Sequence, residues 1–165
     1  MTTELPSAPE NLLTAVMDAA PDDPRVLALI AAQQAELRAL YADTTEVTEA
    51  FDPASLTEVG CVLLGAERGG ALIGCGALKR WDGDTAEVKR MYVTPDARGS
   101  GAAQALLDAL VVGGRALGYR RLVLETGDRQ QAAIGLYMRA GFRRIPNFGV
   151  YAGVENSMCF ELPLG

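Results

Sequence analysis

Apolar residues at Val26, Leu27, Leu29, Ile30, Ala32, Leu37 and Leu40 fall broadly on one helical face, and Asp22, Asp23 and Pro24 mark a start, so the spacing predicts a helix over residues 23–40. Before it, residues 11–17 read as a first strand or a short helix, and residues 1–10, polar with two prolines, read as disordered. After it, residues 41–57 are polar and acidic, which suits a loop and short helix shaping a pocket. Two short apolar runs at 60–67 and 71–79 flank Arg68-Gly69-Gly70, a hairpin signal, and Asp82-Gly83-Asp84 turns the chain into a third run at 86–93. Ala103, Leu106, Leu107, Leu110, Val111 and Leu117 then recur at helical spacing, with Gly118 placed to end the helix. A short strand at 121–125, an amphipathic helix at 129–140, a turn at Gly141 into 142–145 and a closing strand at 157–162 complete the order. Strands, helix, strand, helix, strands is a mixed α/β order of the α+β kind, with no internal repeat or linker.

Length and composition narrow the function. At 165 residues and 49% hydrophobic, the chain suits one compact domain over residues 11–165. No apolar run approaches the roughly 20 residues that span a bilayer, and the acidic N-terminus is unlike a signal peptide, so a soluble cytoplasmic protein without membrane contact is expected. Absence of histidine removes Ser-His and Cys-His nucleophile schemes and makes a zinc site unusual; no metal is expected. Cys61, Cys75 and Cys159 form no CxxC pair and sit in apolar stretches, as buried, reduced packing residues do. The net charge of -6 disfavours nucleic acid as a partner. Yet residues 79–144 hold 12 of the 15 basic side chains and 7 of the 21 acidic ones, a basic stretch in an acidic protein. That asymmetry suits a small polyanion or merely a solvated face of arginines.

Where such an anion would bind is suggested by Val93-Thr-Pro-Asp-Ala-Arg98-Gly99-Ser100-Gly101-Ala102-Ala103: a strand ends, a glycine loop follows and a long helix begins. Glycines allow close approach of backbone amides, and the helix start adds unpaired N–H groups with partial positive charge, which is chemistry for a pyrophosphate. Neither a P-loop nor a GxGxxG pattern is present.

Arg98-x-x-Gly101-x-Ala103 resembles the Gln/Arg-x-x-Gly-x-Gly/Ala pattern of the GNAT superfamily of N-acetyltransferases. Farther on, Gln130-Gln-Ala-Ala133-Ile-Gly-Leu136-Tyr137-Met-Arg-Ala-Gly141-Phe142 is similar to that family's Asn-x-x-Ala-x-x-Leu-Tyr-x-x-x-Gly-Phe. Gln130 replaces the usual Asn but keeps the amide, and Ala102-Ala103 replaces a common Ile-Gly. The likeness covers residues 61–142 well and residues 1–60 only in layout. It implies a GNAT-like domain with a mixed, mostly antiparallel sheet splayed between two strands and flanked by helices. It further implies acetyl-coenzyme A as cosubstrate, with the pyrophosphate held by backbone amides from Arg98, Gly99, Ser100, Gly101, Ala102 and Ala103. Met91 and Val93, flanking Tyr92, would pair backbone groups with the pantetheine arm as an added strand does, and Gln130 and Tyr137 would complete the cofactor site. A backbone N–H near Met91 is the implied donor to the thioester carbonyl.

Direct transfer to an amine needs one group that takes a proton from the amine and one that protonates the thiolate. Tyr137 matches the family's tyrosine and is the candidate for the thiolate. A phenol of pKa about 10 serves a thiolate of pKa about 8.5 only if the site stabilises the phenolate or passes the proton on. Its alternative is a core aromatic on the stripe Ala133, Ile134, Tyr137, Met138. Strict alternation puts Glu87, Lys89, Met91 and Val93 on one face, so Glu87 is expected beside the thioester. Glu87 stands eleven residues before Arg98, the offset of the general base in some histone-acetylating members of the superfamily; a salt bridge to Lys79 or Lys89 is the alternative. Glu125 is a second carboxylate for the same cleft, or a cap for the following helix. Residues 146–151 and 157–160 could line the acceptor pocket, and Trp81 has no assigned role. The expected function is acetyl transfer to a primary amine of a small molecule or amino acid, against a non-catalytic acyl-coenzyme A sensor or a protein acetyltransferase; assembly as a homodimer is left open.

Overall fold

The computed structural model describes residues 13–44 and 51–165. The expectation of disorder over residues 1–10 falls outside them, as does part of the segment 41–57. Strand β1 (Ala15–Asp18) leads into helix α1 (Pro24–Leu40), followed by a short 3-10 helix, Pro53–Thr57. Strands β2 (Val62–Arg68), β3 (Ala71–Arg80) and β4 (Thr85–Val93) form a meander, and helix α2 (Ala102–Ala116) follows. Then come β5 (Arg121–Gly127), α3 (Gln131–Arg139), β6 (Arg143–Ile145) and β7 (Ser157–Pro163). These strands form one sheet in the order β1-β2-β3-β4-β5-β7-β6, antiparallel except between β4 and β5. Within the segment 11–17, the described residues thus supply an edge strand from Ala15 onward rather than a helix.

Helices cover both faces. Leu106, Leu107 and Leu110 of α2 and Ile134 and Leu136 of α3 pack with Leu78, Val88, Leu122, Leu124 and Phe160 in one apolar cluster. On the opposite face, Val26 and Ile30 of α1 meet Leu63 and Ala77, while Leu29 meets Cys75 and Tyr92. The apolar face of α1 is narrower than its sequence suggests, because Leu27 and Leu40 remain 42% and 39% exposed. Asp23 caps α1 by accepting from the Arg25 N–H at 2.9 Å, and Pro24 takes the first helical position, where a missing N–H costs nothing. Cys75 and Cys159 are buried, Cys61 is half-buried, and all three are free thiols. Burial lifts the Cys75 thiol to about 12, so it remains protonated and inert.

One expectation fails within β4. Lys89 lies opposite Ala77, but the next partner of β3, Cys75, lies opposite Tyr92, so three steps on β4 match two on β3. The extra residue is a β-bulge, and Arg90 adopts φ 56 within it. A bulge reverses the side-chain alternation beyond it. Glu87 and Lys89 therefore share the α1 face with Tyr92, whereas Met91 and Val93 belong to the α2 face, not to the face of Glu87 as alternation predicts. Gly76 makes room for this: a Cβ there would come within 2.6 Å of the Met91 sulfur and 3.1 Å of Leu110 Cδ1.

A second irregularity opens the sheet. The parallel β4–β5 ladder holds only through Thr85–Arg121, Ala86–Leu122 and Glu87–Val123, although both strands continue. The strands part at Glu87.

Candidate active site

The parting of β4 and β5 forms an open cleft of about 1180 Å³. Val88, Lys89, Arg90 and Met91 line one wall, and Glu125, Thr126, Gly127, Ala133 and Tyr137 the other. Because Glu87 and Val123 are register partners, and Glu125 sits opposite Cys159, both carboxylates belong to the α1 face. Tyr137 packs in the cluster on the α2 face. The gap thus joins two chemically different sides of one sheet.

On the α2 face, the loop after β4 ends at Gly101, which caps α2 at φ 89 with no side-chain capping bond and no acidic residue in the first turn. A Cβ at Gly99 or Gly101 would meet nothing within 4 Å, so the space before the helix start is open. First-turn N–H groups have no intrahelical acceptor, and here they face that space; an anion such as a pyrophosphate fits. The amides that fit run from Gly99 through Ser100, Gly101, Ala102 and Ala103. Arg98 departs from the expectation: its N–H is used by Pro95 O at 3.4 Å, within a local 3-10 turn. Its guanidinium reaches Glu36 at 2.8 Å and the Val93 carbonyl at 3.1 Å, so the side chain ties the loop to α1. Of the three β4 residues expected along the pantetheine arm, only Met91 lines the cleft. Tyr92 is buried against α1 with its hydroxyl 3.4 Å from Glu36, and Val93 is buried against α2. Gln33 of α1 donates to the Met91 carbonyl at 2.9 Å, fixing the bulge from above.

Glu87 is 5% exposed. Its Oε2 accepts from the Tyr151 hydroxyl at 2.8 Å and lies 3.5 Å from Lys89 Nζ, while Lys89 donates to the Tyr151 oxygen at 2.9 Å. The salt bridge read from sequence as an alternative to catalysis is present, and Glu87 lines the cleft as well. Glu125 lines the same cleft, and the N-cap residue of α3 is Gln130. Gln130 also lines the cleft and hydrogen-bonds Tyr41, whose hydroxyl accepts from the Arg129 N–H at 2.9 Å. Arg129 in turn pairs with Asp43 at 2.6 Å, so residues 41–43 are strapped across the start of α3.

Tyr137 is both a core aromatic and a cleft residue. Its ring lies edge-on to Phe142 at 5.7 Å, and its neighbour Met138 is 60% exposed, so the apolar stripe is narrower than expected. The residue nevertheless lines the cleft, and no hydrogen-bond partner among the described residues reaches its hydroxyl. Burial, and secondarily the Glu125 carboxylate, push the phenol well above its ordinary value. A phenol held that way stays protonated through neutral pH and acts as a donor, not a base.

Two contributors escaped the sequence reading. Tyr151 appeared there only within a pocket-lining segment, and Trp81, with no role, is the residue against which Phe148 packs at 5.0 Å. An aromatic at 148 and another at 151 were the available signals.

Residues 26–142 match the family model described as Acetyltransferase (GNAT) family. An IAA acetyltransferase of Azospirillum brasilense is 38% identical over 120 residues, 72% of this chain and 78% of that protein. A Klebsiella pneumoniae structure provisionally described as an acyl-CoA N-acyltransferase superposes with a TM-score of 0.76 at 32% identity, covering 93% of this chain and 99% of the other. A GNAT family acetyltransferase from Elizabethkingia anophelis, solved with acetyl-CoA bound, gives 0.66 at 19% identity over 91% and 97%, a likeness of fold. With the splayed mixed sheet, the two motifs and a family match over most of its length, the chain belongs to the acetyltransferase (GNAT) family.

Proposed function

We propose that this protein is an N-acetyltransferase that moves an acetyl group from acetyl-coenzyme A to a primary amine of a small molecule or amino acid, by direct transfer in a ternary complex within a domain spanning residues 11–165. The observation that carries the reading is the meeting, in one gap of the sheet, of carboxylates on the α1 face with a protonated phenol on the α2 face. Acetyl-coenzyme A supplies the activated acetyl thioester. The amides of Gly99 to Ala103 would hold its pyrophosphate, and Met91, Gln130 and Tyr137 would flank the arm. An amine approaching from the α1 face meets Glu87 and Glu125, which attract its ammonium form. Glu87 takes the proton that makes the nitrogen nucleophilic, and Tyr137, held protonated, donates a hydrogen bond to the departing sulfur and passes a proton on to it only as its own oxygen is reprotonated from the cleft. A carboxylate pair suits an ammonium-bearing acceptor better than a neutral or anionic one. The Klebsiella relative, described in terms of N-acyl transfer, supports the same class of acceptor.

Ligand-dependent stability tests the donor half. Acetyl-coenzyme A at a hundredfold excess over its Kd should stabilise the fold by about 2.7 kcal/mol, raising Tm on the order of 5–10 °C. Free coenzyme A should act similarly, and ATP or NAD at equal concentration should do little. An unmoved Tm with every coenzyme A species at millimolar concentration would remove the proposal. For the acceptor half, thiol release across a panel of amines should respond to Glu87→Gln with a turnover loss of about tenfold at neutral pH and a flatter rise with pH. A superimposable pH profile would move the base to Glu125 or to solvent.

A further inference from the structure

Resting on Glu87 as the proton acceptor, we infer that Tyr151 is a positioning residue for that carboxylate, and that the aromatic series Trp81, Phe148 and Tyr151 is the device that sets it. Tyr151 ends the short 3-10 helix Gly149–Tyr151, between β6 and β7, and is 64 positions from Glu87 in sequence. Its hydroxyl donates to Glu87 Oε2 at 2.8 Å and accepts from Lys89 Nζ at 2.9 Å. It therefore bridges the two charges, which approach each other only to 3.5 Å. Their side chains are 14% and 6% exposed for Lys89 and Glu87, so water does little to orient either one. In such a site the hydrogen-bonded neighbours decide where a proton resides and which way the carboxylate plane faces.

The hydroxyl is located by more than its own bonds. The Tyr151 ring meets Phe148 edge-on at 5.5 Å, and Phe148 meets Trp81 at 5.0 Å. Gly149, at φ 55, lies so close to the Trp81 indole that any side chain there would collide with it. Asn147 draws the segment closed by donating to the carbonyls of Val154 at 3.2 Å and Ser157 at 3.0 Å. A surface tryptophan in the β3–β4 turn is thus coupled through two rings to a buried carboxylate in the cleft. Among the described residues, the other titratable groups facing Glu87 include Lys79, its register partner on β3, Cys159 on β7 and Glu125 on β5.

Removing the hydroxyl takes a donor from the carboxylate, which disfavours its charged form, and leaves the ring contacts in place. For Tyr151→Phe, turnover at neutral pH should fall about tenfold, and the acid limb of its pH profile should move up by about half to one pH unit. The KM for acetyl-coenzyme A should stay within about twofold, since the bridge lies on the face opposite the helix start. Added to Glu87→Gln, the same change should cost little further, because the base that it positions is gone. A wild-type acid limb in Tyr151→Phe, or losses that multiply in the double variant, overturn the inference. Near-wild-type turnover in Glu87→Gln alone overturns the reading of Glu87 itself, a distinct result. Should Tyr151→Phe fail to fold, Trp81→Leu decides: it keeps the hydroxyl but frees Phe148, and its acid limb should move the same way by a smaller amount. An unmoved limb there defeats the positioning role.

Discussion

Gly101→Glu is expected to lower the affinity for acetyl-coenzyme A by about 100-fold or more while leaving a folded protein. Position 101 lies at φ 89, where an L side chain is strained by about 1–2 kcal/mol, yet no atom lies within 4 Å of the added Cβ. The fold can absorb that cost. Binding cannot absorb the charge, because a carboxylate would stand before the unpaired N–H groups of α2, where a phosphate is to sit. Gly101→Asn separates the two effects: asparagine tolerates the left-handed region and carries no charge, so its affinity should fall far less. Calorimetric titration of both variants measures the difference. Equal affinities for wild type and Gly101→Glu would make the loop a turn and nothing more.

Tyr137→Phe is expected to reduce turnover by about 100-fold or more with every accepted amine, while acetyl-coenzyme A affinity stays within a few-fold. The ring and its contact with Phe142 survive the change, and no described partner of the hydroxyl is lost, so stability should hardly alter. What disappears is a donor facing the cleft. Burial and the nearby Glu125 keep that donor protonated well above neutral pH, so the tyrosine should impose no fall in rate on the alkaline side up to about pH 9. Steady-state rates across pH with saturating cofactor test both statements. Near-wild-type turnover would return Tyr137 to the apolar core and leave the thiolate to solvent.

Glu125 gains interest from this arrangement. It helps to raise the Tyr137 phenol and lines the same cleft as Glu87. Two carboxylates thus stand on one face of the cleft.

The sequence by itself determined the elements and the glycine loop that opens α2. Helical spacing marked α1, α2 and α3, and glycine turns marked the β2–β3–β4 meander, because periodicity and turn chemistry act over a few residues. Gly99 and Gly101 before the apolar stripe of α2 were legible for the same reason: loop, glycines and helix start are contiguous. Tertiary structure alone decided how the chemistry meets. Strict alternation placed Glu87 and Met91 on one face, but the bulge at Arg90 separates them, and Gly76 leaves room for the Met91 side chain against α2. The backbone amide of Arg98 looked like part of the pyrophosphate cradle, yet it is used by the Pro95 carbonyl in a local turn, and the guanidinium is taken by Glu36, 62 positions away. The bond from Tyr151 to Glu87 and the strap from Arg129 to Asp43 join residues 64 and 86 positions apart. Such contacts carry no local period, since they form only after the sheet has brought distant segments to one gap, and their geometry depends on how β4 and β5 part rather than on any spacing along the chain.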